Sequence, residues 1–266
     1  MKLDLKDTTF IIPLRIESAD RMRNVITSLC YLLENFDTNI IVKEGDSKSI
    51  FLEDVLPQVK EYLELNEVPN LTHVFEDTST SEFHRTRYLN EMLHMATTKV
   101  VVNYDCDIIL PISSYIKSQD MIVNGDSDVV YPYGFGNYAM MATVGDEDVS
   151  EFLSNDFDIT ILHNKSRQYM SRYGFCQFFD REVYIAGGEE NEDFIAYAPE
   201  DEERAYRFKT LGYKVDRIDE FAYHLEHART PNSWTHNPHM RNNNLLWEKL
   251  QKMNKKQLID YYNLSL

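Results

Sequence analysis

Short apolar, β-branched runs alternate with segments of helical spacing through the N-terminal part of the chain, and few folds accommodate that alternation. The runs are Thr8–Leu14, Asn39–Val42, Leu71–Phe75 and Lys99–Tyr104. Between the first two, Ala19–Leu33 repeats Met22, Val25, Ile26, Leu29, Leu32 and Leu33 at the period of a helix. Residues 50–65 and Phe83–Met95 are also expected to be helical. Apolar strands separated by helices predict an α/β fold with a mostly parallel, doubly wound sheet flanked by helices. In such sheets ligands bind beyond the carboxyl ends of the strands. The polar residues at those ends are therefore the first candidates: Arg15, then Glu44 and Asp46, then Asp105 and Asp107.

The second half is less regular. Val129–Tyr133 is expected to be a strand leading into Gly134-Phe135-Gly136-Asn137, residues 145–158 an acidic loop, and Glu200–Leu211 a helix. Asn242–Tyr262 reads as one amphipathic helix with Leu245, Leu246, Leu250, Met253, Leu258 and Ile259 as its stripe. No repeat or flexible linker divides the chain, so one domain over residues 1–240 and a helical appendage over 241–266 are expected.

At 266 residues and 43% hydrophobic, the chain can bury one large core. Its formal charge of −17 repels nucleic acid. Cys30, Cys106 and Cys176 lack paired spacing, which points to a reducing compartment. Acids interrupt the N-terminus MKLDLKDTTF, and no apolar run reaches the roughly 18 residues of a membrane span. A cytoplasmic protein is expected. From Met240 onward Arg241, Lys249, Lys252, Lys255 and Lys256 face only Glu248 and Asp260, so a peripheral contact with an anionic membrane competes with simple packing of this segment.

Three clusters carry chemistry. Asp105-Cys106-Asp107 is one of four Asp-x-Asp triplets, but it alone follows a buried strand and precedes Ile-Ile-Leu-Pro. At extended spacing its carboxylates share a side and suit a hard divalent cation; two solvated acids at a strand end are the alternative. Gly187-Gly188 precedes Asn191-Glu192-Asp193 and then Glu200-Asp201-Glu202-Glu203. One raised pKa among these acids gives a general base; an acidic first helical turn, favoured by the dipole, is the alternative. Four of the eight histidines, His224, His227, His236 and His239, fall close together, without the cysteine partners or His-Glu-x-x-His pattern of a zinc site. A single histidine completing an oxygen-rich site fits better.

Together these blocks resemble the β-1,4-galactosyltransferase family and its bacterial relatives, which share the GT-A fold with family 2 glycosyltransferases. The resemblance rests on Ile11-Ile12-Pro13-Leu14-Arg15, on Phe83-His84-Arg85-Thr86-Arg87-Tyr88-Leu89-Asn90, and on Asp105-Cys106-Asp107-Ile108-Ile109-Leu110-Pro111. It extends through Tyr197-Ala198-Pro199-Glu200-Asp201 and His227-Ala228-Arg229 to Asn237-Pro238. It implies a Rossmann-like GT-A fold and an inverting, metal-dependent transfer of a hexose or N-acetylhexosamine, galactose favoured, from a UDP-sugar to a glycan or lipid-linked glycan hydroxyl.

In that resemblance Asp107 and His227 ligate Mn²⁺ or Mg²⁺, Asp105 supports the metal or the ribose, and His224 is the alternative ligand. Pro13, Arg15, Glu44, Phe83, Arg85, Asp105, Gly188 and Tyr197 are implied donor contacts. Asp201 is the implied general base and Glu200 orients the acceptor. Tyr197 replaces the family's tryptophan and Pro199 a glycine, so the pocket differs in shape. A nucleotidyltransferase would carry a Gly-rich phosphate loop after the first strand, where this chain has Arg-Ile-Glu-Ser-Ala-Asp. A non-catalytic sugar-binding relative would be expected to lose a ligand or the base, and Asp105, Asp107, Asp201 and His227 are all present.

Overall fold

The computed structural model describes residues 2–78, 82–230 and 237–265. His236 lies outside the described residues. The first strand, β1 (Leu3–Leu14), begins earlier than the apolar run, with a register irregularity between Leu5 and Thr9. It feeds α1 (Ala19–Asn35), whose N-cap Ser18 accepts the Arg21 amide at 3.3 Å. β2 (Phe36–Asp46) pairs parallel with β1. A π-helical segment, Phe51–Val55, then opens α2 (Leu56–Tyr62). β3 (Leu71–Asp77), α3 (Arg85–Met95), β4 (Val100–Tyr104), the two-residue β5 (Ile108–Ile109) and α4 (Ile112–Val123) complete the regular half.

The second half holds β6 (Val129–Tyr131), β7 (Ala139–Ala142), α5 (Asp146–Ser154), α6 (Ile159–Asn164), β8 (Ser166–Gln168), β9 (Cys176–Asp180) and α7 (Arg181–Ala186). After these come α8 (Glu200–Leu211), β10 (Val215–Arg217), β11 (Ala222–Leu225), α9 (Met240–Leu250) and α10 (Lys255–Tyr262). The main sheet has the order β10-β6-β9-β4-β1-β2-β3, and a second, smaller sheet runs β5-β11-β7-β8. The main sheet is mostly parallel; β9 alone runs antiparallel to both its neighbours, β4 and β6. Val100, Val101 and Val102 are fully buried, as expected of a central strand covered on both faces. Phe10 of β1 meets Tyr104 and Phe178 edge-on at 5.4 and 6.1 Å, which locks β1, β4 and β9 into one core.

Two expectations are corrected. Residues 145–158 are not a loop throughout: α5 buries Val149 and Phe152, and Asp148 accepts the Gly145 amide at 2.9 Å. Its acids occupy the first turn, where the helix dipole favours them, and their density hid the apolar spacing. Asn242–Tyr262 is two helices rather than one. Asn254 breaks the stripe and caps α10, exchanging hydrogen bonds of 3.1 and 2.9 Å with Gln257.

Both C-terminal helices pack against α8. Leu250 joins a cluster with Phe194 and Ala198, Leu246 and Trp247 cover it, and Leu258 is fully buried. The Tyr262 hydroxyl donates to Glu203 at 2.8 Å, and its ring lies 4.4 Å from the Arg207 guanidinium. No described helix is long and apolar enough to cross a membrane. Because Leu258 has no exposure, Leu258→Ala should cost about 2–5 kcal/mol of stability, read as a lower urea midpoint.

Candidate active site

The carboxyl edge of the main sheet opens into a cleft of about 480 Å³. Pro13, Phe83, Arg85, Asp105 and Asp107 line one part of it, the two aspartates from the end of β4 as expected of such a sheet. Tyr197, Glu200 and Asp201 line another, and His224 and His227 reach it from the second sheet. The segment from Tyr169 to Phe175, which leads into β9, forms the remaining wall.

β4 ends at Tyr104, and residues 105–107 form a turn rather than an extended continuation. The two aspartates therefore part. Asp105 receives Arg85 Nη2 at 2.7 Å, while Asp107 faces the histidines. β5 follows at once and pairs antiparallel with β11, which sets Ile108 opposite His224. The Leu225 amide donates to the Asp107 carbonyl at 2.8 Å, so strand pairing itself brings Asp107 and His224 together.

His224 Nε2 lies 3.5 Å from Asp107 Oδ1, and His227 Nε2 lies 3.2 Å from Asp107 Oδ2. All three side chains are nearly enclosed, and their ligand atoms lie within 4.8 Å of one another. His227 Nδ1 is 2.8 Å from the Ala228 carbonyl. Donation there leaves Nε2 as a lone pair facing the cluster, the usual support behind a metal-ligating histidine. Asp107 Oδ1 is buried without a hydrogen-bond partner. An orphaned anionic oxygen between two imidazoles fits a divalent cation that takes oxygen and nitrogen ligands. Burial opposes ionisation of Asp107, but His224, His227 and Arg21 outweigh it and hold its carboxyl well below the usual range. Burial lowers the His224 pKa against the pull of Asp107, which favours the neutral form a ligand needs.

The N-terminal turns of α1 hold this cluster in place. Asp20 accepts the Ala228 amide at 2.7 Å, and Asn24 donates to the Leu225 carbonyl at 2.9 Å. Arg21 Nη2 sits 3.2 Å from both ring nitrogens of His227. Sequence reasoning missed Arg21. The signal available was its place in the first turn of the helix that follows β1.

Opposite the cluster, α8 begins at Glu200 with four consecutive acids. Glu200 Oε1 lies 3.3 Å from Arg85 Nη1, and Asp201 pairs with Arg204. Burial, and then Asp201, push the Glu200 pKa well above the usual carboxylate range. Burial also raises Asp201, against the pull of Arg204 and Arg85.

Three expected donor contacts lie off the cleft lining. Glu44 is turned inward, accepting the Phe51 amide at 2.9 Å and pairing with His73 at 3.0 Å. Arg15 reaches the Glu82 carbonyl at 3.1 Å. Gly188 lines a separate cavity beside Tyr262 and Leu264.

No family model matches the chain, and no curated protein matches its sequence. Among solved structures, GalNAc-T7 with UDP, GalNAc and Mn²⁺ is similar, with a TM-score of 0.61 at 11% identity, covering 97% of this chain and 54% of that one. A mannosyltransferase from Pyrobaculum calidifontis in complex with GDP-Man and Mn²⁺ matches at 16% identity and a TM-score of 0.49, over 96% of this chain and 63% of that one. The chain spans between half and two thirds of the length of these proteins. The fold is that of the GT-A glycosyltransferases.

The cluster makes a direct prediction. Mn²⁺ should raise the thermal midpoint of the wild-type protein by mass action. Asp107→Ala and His227→Ala should each abolish that rise while folding normally in its absence, as followed by calorimetry with EDTA controls.

Proposed function

We propose that the protein is a metal-dependent glycosyltransferase that moves a hexose or N-acetylhexosamine, galactose favoured, from a UDP-sugar to a glycan hydroxyl with inversion. The observation that carries this is the enclosed Asp107–His224–His227 cluster at the strand ends of a GT-A fold, in one cleft with Glu200 and Asp201. The resemblance of its ordered motifs to the β-1,4-galactosyltransferase family supports the galactose-type donor, and GalNAc-T7, solved with UDP, GalNAc and Mn²⁺, supports a UDP-linked donor.

Asp107, His224 and His227 would hold Mn²⁺ or Mg²⁺, which supplies Lewis-acid neutralisation of a diphosphate leaving group. Arg85 and Asp105, bonded to each other, would fix the donor's nucleotide end, with Pro13 and Phe83 beside them. Tyr197, half exposed on the cleft, offers a ring face for a sugar. Asp201 takes the acceptor hydroxyl proton as its oxygen bonds the anomeric carbon and the bond to UDP breaks. One displacement without a covalent enzyme intermediate inverts that carbon. Glu200 orients the acceptor. Three buried, free cysteines fit a reducing cytoplasm.

The acceptor is proposed to be a glycan or a lipid-linked glycan. In the latter case Arg241 and Lys249 of α9, Lys252 after it and Lys256 of α10, all exposed, would face an anionic membrane surface. Intact protein should then pellet with anionic but not neutral vesicles, and equal recovery with both would remove the membrane role.

The enzymatic reading is tested by screening UDP-galactose, UDP-GalNAc, UDP-glucose and UDP-GlcNAc for hydrolysis. Turnover should require Mn²⁺, stop in EDTA and vanish in Asp107→Ala. Asp201→Asn should keep UDP binding yet slow transfer by roughly 10²–10⁴-fold, the range for loss of a general base. An inactive Glu200→Gln beside a near-normal Asp201→Asn would reverse their roles.

A further inference from the structure

We propose that Arg204, anchored by Glu190, makes Asp201 rather than its neighbour Glu200 the ionised carboxylate of the pair, and so selects the base; the proposal rests on the reading of Asp201 given above.

Arg204 follows Asp201 by three residues on α8, and its side chain is 1% exposed. One end of its guanidinium, Nη1, lies 2.5 Å from Glu190 Oε1. The other, Nη2, binds Asp201 Oδ1 and donates to Gln177 Oε1 at 2.9 Å. Glu190 is equally enclosed and also receives Asn103 Nδ2 at 3.0 Å and the Tyr184 hydroxyl. Its main chain is clasped from both sides by Asn90, at 3.0 and 2.8 Å. Gln177 in turn donates to the Tyr173 carbonyl at 2.7 Å, in the cleft wall. Arg204 is thus fixed from behind, and the carboxylate at the cleft end is the member that conforms to it. Asp201 Oδ2 stays on the Gly174 side, within 3.1 Å of where a Cβ on that glycine would stand.

Glu200 is placed differently. Its Oε1 has only the longer Arg85 contact, at 3.3 Å against 2.7 Å for Asp105 on the same guanidinium, and its Oε2 is buried without a partner. Around these two arginines stand four carboxylates: Asp105, Glu190, Glu200 and Asp201. Two positive charges do not offset four anions; Asp105 and Asp201 keep 31% and 20% exposure, so the proton goes to the buried carboxyl with the poorest partners. That is Glu200. A protonated Glu200 donates a hydrogen bond to the acceptor oxygen, while Asp201, anionic, receives the acceptor's proton. Adjacent carboxyls held apart in this way divide the acid and base roles.

The test is a carboxyl titration by ¹³C NMR on the full chain labelled at aspartate Cγ, with Asp201 identified by its missing signal in Asp201→Asn. Several groups bear on Asp201. They are Arg204, Glu200 and Glu202 on its own helix, Arg85 on α3, Asp105 after β4, Glu190 after α7, Tyr131 and Tyr133 at β6, and Tyr197 before α8. Only the Arg204 and Glu190 charges are changed. Arg204→Gln should raise the Asp201 midpoint by about 1–3 pH units, the usual effect of one adjacent arginine, and Arg204→Lys should largely restore it. Glu190→Gln should lower it, because a negative neighbour is removed. General loosening of the fold does not move one carboxyl in opposite directions. Should Arg204→Gln not fold, Arg204→Lys and Glu190→Gln decide the matter. An Asp201 midpoint unmoved or raised in folded Glu190→Gln overturns the proposal, as does a wild-type Asp201 that titrates above Glu200 followed by glutamate Cδ labelling. If no UDP-sugar is turned over, the functional reading fails while the titration still decides the role of Arg204. If one is, Arg204→Gln should lower kcat with little change in the donor KM, and Arg204→Lys should rescue it.

Discussion

The pairing of β5 with β11 is the contact on which the cleft depends. It sets Ile108 opposite His224 across a long stretch of intervening chain, so one short ladder of backbone hydrogen bonds places an aspartate and a histidine side by side. A strand end alone does not produce such a cluster; it takes a second sheet docked at the edge of the first. The N-terminal turns of α1 complete the arrangement through Asp20 and Asn24, which bind main-chain groups of the segment that carries His227. The histidine at the outer end of the cluster is therefore held by backbone on one side and by helix side chains on the other. Functional sites need support of this kind if their geometry is to be kept to fractions of an ångström.

The opposite wall follows a different logic. α8 opens with four acids, which suits the helix dipole, yet two buried arginines on the same helix, Arg204 and Arg207, answer them from within. Such buried pairs add little net stability, because desolvation offsets the attraction. What they fix is orientation: Arg207 binds the Gly187 and Glu189 carbonyls and Glu203, tying the loop before α8 to the helix itself. The cleft is thus built between a metal-type cluster held by strands and a carboxylate pair held by arginines.

Much of this was legible in the sequence. The strands of the regular half announced themselves because buried parallel strands need continuous β-branched runs, and their ends pointed to Asp105 and Asp107, while Arg85 came from the resemblance alone. Other features were hidden for identifiable reasons. β9 reads Cys-Gln-Phe-Phe-Asp, too short and mixed to separate from a loop, yet every residue but the last is buried. The pairing of Asp105 with Arg85 could not be seen, because a turn after β4 rotates one aspartate away from the other. Glu44 looked like a ligand-facing strand end, and it folds inward because His73, Ser49 and the Phe51 amide satisfy it there. Gly188 sat beside the right motif in sequence and faces another cavity in space, since the chain turns back at Glu190 before entering α8.

The antiparallel insertion of β9 also sets an order of events. Among the described residues β6 pairs only with β9 and β10, and β4 meets β6 only through β9. β1 to β4 can collect through crossovers of modest length, whereas the other half of the sheet waits for a strand made much later. Non-local pairings of this kind are reached slowly, because loop closure is costly before any contact rewards it. Until β9 seats, the exposed flank of β4 is an unpaired edge that opens with three valines, the sort of surface that invites intermolecular pairing. Covering that edge quickly is therefore a demand on folding separate from the stability of the finished sheet.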